Sequence, residues 1–575
     1  MPRKRPFSAK QKKQQLRERR ERKRGDAPAG PAPGPGSRSG SGERGGDGSP
    51  GDPQTEPPRR HDPGRFRLQL GGPRAEALER SRRRAQQELL ELLPESAMEL
   101  DPDRIYGPGL DFPRRPPWSF GMSPEALRAR EEAAFREFLR GLGDGDSAGL
   151  APFEHNLETW RQLWRVLEMS DIVLVIADAR HPALGVPPAL AAHVSQDLAK
   201  GLILILNKVD LVPPAVATAW SHLLRARHGP ARVVPFCTAP GPAPGPGLQK
   251  RQKKRGGRWS RAVGPRLLLE ACEEIVGGAV DLSSWRARLE RVEQRPPEEE
   301  EEEDDDDEDD DDDDEDEEGE EPPCGEEDEE EEEGAGPGGA ALPRQWERYR
   351  HGVLTLGCVG LPNAGKSSVL NALLGRGAVG VSRAPGRTRY FQTHFLTAAV
   401  RLCDCPGLVF PSRAPPELQV LAGVYPIAQL QDPYSAVGFL GSRLALPPLL
   451  QLRPPGDGGW TAWELCEAWA EKRGYKTARA ARNDVARAAN GLLRLAAEGR
   501  LRLCFRPPGY SQEKERWELH PDTAALAAMT GGGASAPPPA GPAPSSEDEG
   551  EESEQATPPP SPAPNPFALL GEDEC

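Results

Sequence analysis

Short apolar runs alternate with amphipathic stretches through the middle of this chain. Residues 171–177, 202–206, 232–236 and 353–359 are strand-sized and apolar enough to be buried on both faces. Helical patterns stand between them. Leu157, Trp160, Trp164 and Leu167 recur at spacings of three and four, a stripe read as core packing. Residues 267–276 and 367–374 read as further helices. Strands alternating with helices predict an α/β domain built on a parallel sheet.

The flanks read differently. Residues 75–93 pattern as a charged helix stopped by Pro94, and Ser123-Pro124 opens a second helix running to about Leu139. Towards the C-terminus, Thr461-Ala462-Trp463-Glu464 is a capping box for a helix ending near Gly474. A longer helix is expected over 476–497, and 501–505 alternates like a strand. These patterns divide the chain into a helical extension (73–150), an α/β domain (151–412) and a mainly helical domain (413–525). The 62 Gly and 64 Pro concentrate elsewhere. Residues 1–72 and 526–575 read as disordered basic and acidic tails, and 239–260 and 294–345 as disordered inserts.

Charge sharpens this division. The formal net charge is −16, yet residues 298–333 alone hold 31 acids, so the rest of the chain carries +15. Residues 1–24 contain twelve Lys or Arg against Glu18 and Glu21. A basic body of this kind suits nucleic-acid partners, and the basic tail suits nuclear import and nucleolar retention, with shuttling to the cytoplasm left open. The acidic block repels itself too strongly to fold, and it could mask basic surfaces until RNA competes it off. Ser545 and Ser546 precede acids and are candidate phosphorylation sites. Nine cysteines without a CxxC pair argue for reduced thiols rather than a disulfide framework. No apolar run approaches the ~20 residues of a membrane span, and the N-terminus lacks the apolar core of a secretory signal.

Four words carry the chemistry. Gly360-Leu361-Pro362-Asn363-Ala364-Gly365-Lys366-Ser367 is a phosphate loop, continued by Ser368, with a β-run before it and a helix after it. Lys366 would reach the β- and γ-phosphates and the Ser367 hydroxyl would ligate Mg²⁺. Asn207-Lys208-Val209-Asp210 follows the 202–206 run. The Asp210 carboxylate can accept from guanine N1–H and its exocyclic amine, a pair adenine does not offer. Asn207 would brace the loop and the Lys208 stem would cover the base. Asp404-Cys405-Pro406-Gly407 would bring Asp404 to the metal and the Gly407 N–H to the γ-phosphate. Thr388, after Pro385-Gly386-Arg387, is the candidate switch threonine, with Thr393 its nearest competitor. Cys237-Thr238-Ala239 fills the slot of the second base-contacting loop but matches its usual pattern poorly. Together these words predict a site for GTP or GDP with Mg²⁺. Leu408 stands where many GTPases place a water-orienting glutamine, so hydrolysis is slow or another group assists. Two rivals remain: a GTP-binding signalling scaffold with little hydrolysis, and an ATPase, which Asp210 disfavours.

The order of the words is unusual, because the base-reading word precedes the phosphate loop by about 150 residues. A domain with every part present, but started in its middle, resembles the circularly permuted GTPases associated with ribosome assembly. The run Asn156-Leu157-Glu158-Thr159-Trp160-Arg161-Gln162-Leu163-Trp164-Arg165-Val166 and the word Asp178-Ala179-Arg180-His181-Pro182 strengthen that resemblance. It implies a Ras-like sheet with a hydrophobic residue in place of the catalytic glutamine. It implies action on pre-ribosomal particles or ribosomal RNA. Asn363 matches the asparagine that accompanies a charge-stabilising K⁺ in related enzymes, which adds it to Lys366 and Thr388 as catalytic candidates.

Overall fold

In a computed structural model, residues 69–70, 75–144, 149–238, 248, 262–294, 348–382, 385–386, 388, 390–453, 459–477 and 482–530 are described. The expected tails, the acidic block and both inserts fall almost wholly outside these residues, as do Arg387 and Arg479.

Six strands form one sheet: β1 (Ile172–Asp178), β2 (Gly201–Asn207), β3 (Arg232–Pro235), β4 (Leu354–Val359), β5 (Gln392–Thr397) and β6 (Val400–Asp404). Their spatial order is β3-β2-β1-β4-β6-β5. All neighbours are parallel except the β5–β6 hairpin at one edge. Every residue of β1 and β4 is buried, which is why both read as unbroken apolar runs. Each fully buried Val, Leu or Ile there contributes about 1.5–3 kcal/mol relative to exposure. The tryptophan stripe lies on α3 (Leu157–Met169), with Trp160 and Trp164 in the core under the sheet.

The sheet explains the order of the words. The phosphate-loop strand β4 lies in the middle of the sheet but comes fourth along the chain. Three strands that would normally follow it instead precede it. The Asp171 carboxylate stitches the restart in place, accepting from the Tyr349 backbone N–H at 3.0 Å and from the Thr355 N–H at 2.7 Å. Arg288, on α6 (Ser283–Glu293), donates to the Leu396 carbonyl of β5 at 2.9 Å. Both sides of the break are thereby anchored to one sheet.

A helical layer surrounds one end of this domain. Helix α1 (Ala75–Gln87) packs against α9 (Pro433–Gly441) and α10 (Ala462–Arg473), and α11 (Val485–Ala497) packs against both of those. The capping box forms as expected: the Thr461 hydroxyl accepts from the Glu464 N–H at 3.1 Å and the Glu464 carboxylate accepts from the Thr461 N–H at 2.9 Å. Three expectations here are corrected. The helix predicted over 476–497 spans only Val485–Ala497, because Asp484 caps it by accepting from the Arg487 N–H at 2.9 Å. The segment 501–505 is not a strand. Leu501, Leu503 and Phe505 bury their side chains, while the Phe505 N–H donates to the Arg180 carbonyl at 2.7 Å and its carbonyl accepts from the Trp220 indole at 2.8 Å. Helix α1 also stops at Gln87, short of Pro94.

Candidate functional site

Parallel register brings the four words to one edge. Asp178 pairs with Asn207 at the ends of β1 and β2, and Cys358 pairs with Asp404 at the ends of β4 and β6. The loop from Gly360 to Gly365 crosses this carboxyl edge before α7 (Lys366–Leu374) begins. Open α/β sheets bind ligands at such an edge, and the start of α7 adds backbone N–H groups and a positive dipole end.

Steric limits select the loop's residues. Gly365 adopts φ +94°, and a Cβ there would stand 2.2 Å from Asn207 Nδ2. Gly407 lies so close beneath the loop that its Cβ would stand 2.7 Å from Pro362 Cα. Asn207 is buried and donates to the Ala364 carbonyl at 2.9 Å, which braces the loop from the next strand. Lys208, in a left-handed conformation at φ 63°, donates to the Asn363 carbonyl at 2.7 Å. Val209 is buried. Leu361, Ala364, Cys405 and Pro406 are buried around the loop, and Ser368 lies in the first turn of α7.

At the other end, Ser367 Oγ donates to Asp404 Oδ2 at 3.0 Å and lies 3.4 Å from Thr388 Oγ1. Thr393 stands on β5 opposite Cys403, away from this cluster. Burial pushes the Asp404 carboxyl up to about 6, against the pull of Lys366, Ser367 and Thr388. Its second oxygen, Oδ1, is buried without a hydrogen-bond partner among the described residues. Two hydroxyls and a carboxylate with an unsatisfied oxygen suit a hard divalent cation such as Mg²⁺. Lys366 donates to the Gly360 and Leu361 carbonyls at 3.2 and 2.9 Å, and burial holds its ammonium below the ordinary lysine range.

Asp210 lies at the far end, partly buried, its carboxyl raised by burial. The Cys237 thiol donates to Asp210 Oδ1 at 3.1 Å. Sequence reasoning noted the Cys237 slot and assigned it nothing. It also assigned no role to Asp178 and Arg180. Arg180 Nε and Nη2 reach the two Asp178 oxygens at 3.0 and 2.7 Å, and Lys208 Nζ reaches Asp178 Oδ2 at 2.9 Å. Burial disfavours the Asp178 charge, but these two cations outweigh it and hold the carboxyl well below the usual range. Asp178 is thus the fixed post for the base-reading loop. Leu408, fully buried, donates its N–H to the Gly360 carbonyl at 3.2 Å. Asn363 donates its side-chain amide to the Gly423 carbonyl at 2.8 Å.

A six-stranded sheet with a phosphate loop, a base-reading loop and a metal-suited cluster on one edge defines a P-loop GTPase domain in permuted chain order. Residues 355–425 match the family model described as 50S ribosome-binding GTPase. Guanine nucleotide-binding protein-like 1 of Homo sapiens is 50% identical over 560 residues, covering 92% of this chain and 90% of the relative. The Mus musculus protein of the same name is 49% identical over the same spans. GTPase LSG1-2 of Arabidopsis thaliana is 31% identical, covering 72% of this chain and 65% of its own length. The chain belongs to the guanine nucleotide-binding protein-like 1 family, and it is a GTP-binding protein of the GTPase class.

Proposed function

We propose that this protein is a slow, Mg²⁺-dependent GTP switch that reports its nucleotide state to its C-terminal helical region during ribosome assembly or other RNA-linked work in the nucleus. One observation carries the reading: segments far apart in sequence converge on a single sheet edge, with Asp210 at one end and Ser367, Thr388 and Asp404 at the other. In this reading the Asp210 carboxylate accepts from the guanine edge, with Asn207 and Lys208 holding the loop on the phosphate side. The loop 360–367 wraps the phosphates, and Lys366 turns from backbone carbonyls to the β- and γ-oxygens. Ser367, Thr388 and Asp404 would hold Mg²⁺, which neutralises charge developing between the β- and γ-phosphates.

Slow turnover follows from Leu408, which is buried and apolar and so cannot orient water. A K⁺ ion beside Asn363 would supply compensating charge, and the Gly423 carbonyl fixes the orientation of that amide. The same hydrogen bond supports a route outward. Gly423 and the segment after Gly407 belong to the chain leading directly into the helical region, so a shift of either loop acts on it without an intervening domain.

The RNA-facing surface is proposed on Arg473, Lys476, Arg479, Arg482, Arg487 and Arg494, of which Arg479 lies outside the described residues. The other five come from the end of α10, the segment after it and α11, rather than from one helix. Particle binding by the helical region, nuclear import through residues 1–24 and masking by 298–333 complete the proposal. The description of the matched family model, 50S ribosome-binding GTPase, supports a ribosome link.

The second reading, a scaffold with little hydrolysis, is favoured by the same Leu408. Single-turnover hydrolysis of GTP separates the two. The switch reading expects slow turnover that rises with K⁺ over Na⁺. Rates equal to buffer alone in both salts would favour the scaffold. Co-sedimentation with pre-ribosomal particles in GTP but not GDP tests the partner. Absence of co-sedimentation in either nucleotide would reject the ribosome-linked role.

A further inference from the structure

Helix α4 (Pro214–His228) packs against α12 (Pro521–Met529), which closes the described chain. Three side chains with metal-ligating atoms meet at this contact. His222 comes from α4, His520 is the residue preceding α12, and Asp522 lies in its first turn. Their donor atoms all lie within 4.8 Å of one another. His222 Nε2 stands 2.8 Å from Asp522 Oδ2, and His520 Nδ1 stands 3.8 Å from the same oxygen. The two imidazole rings meet edge to face at 4.7 Å, and the Trp517 ring lies 5.5 Å from His222 and 5.8 Å from His520.

We propose that His222, His520 and Asp522 form a zinc site that clasps the C-terminal helix onto the GTPase domain. Two borderline-soft imidazoles and one carboxylate match the donor preference of Zn²⁺ and disfavour Mg²⁺, which takes oxygen ligands. A tetrahedral zinc with bonds of about 2.0–2.2 Å separates its donors by roughly 3.4 Å. The spacings of 2.8 and 3.8 Å bracket that value, so small side-chain rotations assemble the site. His520 Nδ1 accepts from the Asp522 N–H at 3.2 Å, a long cap contact that the metal replaces. Water takes the fourth position. The Trp517 ring walls one side. The ligands lie about 300 residues apart in sequence, so binding favours the docked state of α12 over any undocked one.

The whole protein, chelator-treated and desalted, is titrated with Co²⁺ and Zn²⁺ in excess Mg²⁺. The magnesium occupies carboxylate-only sites such as the acidic block. The proposal expects one equivalent of Co²⁺ to give a visible absorption band that zinc bleaches. It also expects zinc to raise the melting temperature. Both responses vanish in His222→Ala and in His520→Ala. His222→Gln keeps a hydrogen-bonding partner for Asp522 and is expected to melt like the metal-free wild type without responding to zinc. A wild type with no saturable band means only a His–Asp ion pair is present and overturns the proposal. So does unchanged binding in both alanine variants.

Discussion

Asp178→Ala is expected to lower the unfolding free energy at neutral pH by about 3–5 kcal/mol, because it strands Arg180 as a buried, unpaired cation. Arg180 is only 5% exposed. Its guanidinium also donates to the Ala496 and Ala497 carbonyls at 2.9 and 3.2 Å, so the loss would spread to the last turn of α11. Urea unfolding measures this directly. Pairing the change with Arg180→Met should recover most of the loss, since removing both charges leaves no orphan. A loss under about 1 kcal/mol, typical of an exposed pair, would show that Asp178 is not the post described. The pH dependence has a defined sign. A carboxyl whose folded pKa is depressed contributes stability above its unfolded value near 3.8, and that contribution fades as pH falls through the lower folded value. Wild type and Asp178→Ala should therefore converge in stability only under strongly acid conditions.

Lys366→Ala is expected to weaken GTP binding by roughly 100- to 1,000-fold, about 3–4 kcal/mol, from the loss of charge-assisted hydrogen bonds to two phosphate groups. The variant should fold normally. Among the described residues Lys366 donates to two loop carbonyls, Gly360 and Leu361, and its burial disfavours its own charge, so its removal relieves desolvation. Calorimetry with GDP and a non-hydrolysable GTP analogue gives the measurement, and a change below about tenfold would remove Lys366 from the phosphate site.

Much of the fold was readable because its strands are continuous apolar runs with helices between them. The resemblance to circularly permuted GTPases, drawn from four words and their order, agrees with the family to which the chain belongs. Local pattern failed where long-range partners decide. Nothing near Asp178 in sequence reveals that Lys208 meets it, or that the end of α11 meets its partner Arg180, because those contacts span 30 and more than 300 residues. Periodicity likewise ran through Asn483-Asp484, where a side-chain cap starts α11 anew. The alternation at 501–505 mimicked a strand because burial on one side produces it, with or without a neighbouring strand. Thr388 and Thr393 could be weighed but not separated by pattern alone, whereas the β5–β6 register removes Thr393 from the metal-suited cluster.

The central claim is that one guanine nucleotide spans the sheet edge from Asp210 to the Ser367–Thr388–Asp404 cluster. Its most direct test is calorimetric titration of the full chain with GTP analogue and with ATP in Mg²⁺, repeated on Asp210→Ala. The account predicts saturable binding of the guanine nucleotide, little heat with ATP, and a loss of guanine preference of roughly 100-fold in the variant. Equal affinities for the two purines, or an unaltered preference once Asp210 is gone, would contradict it.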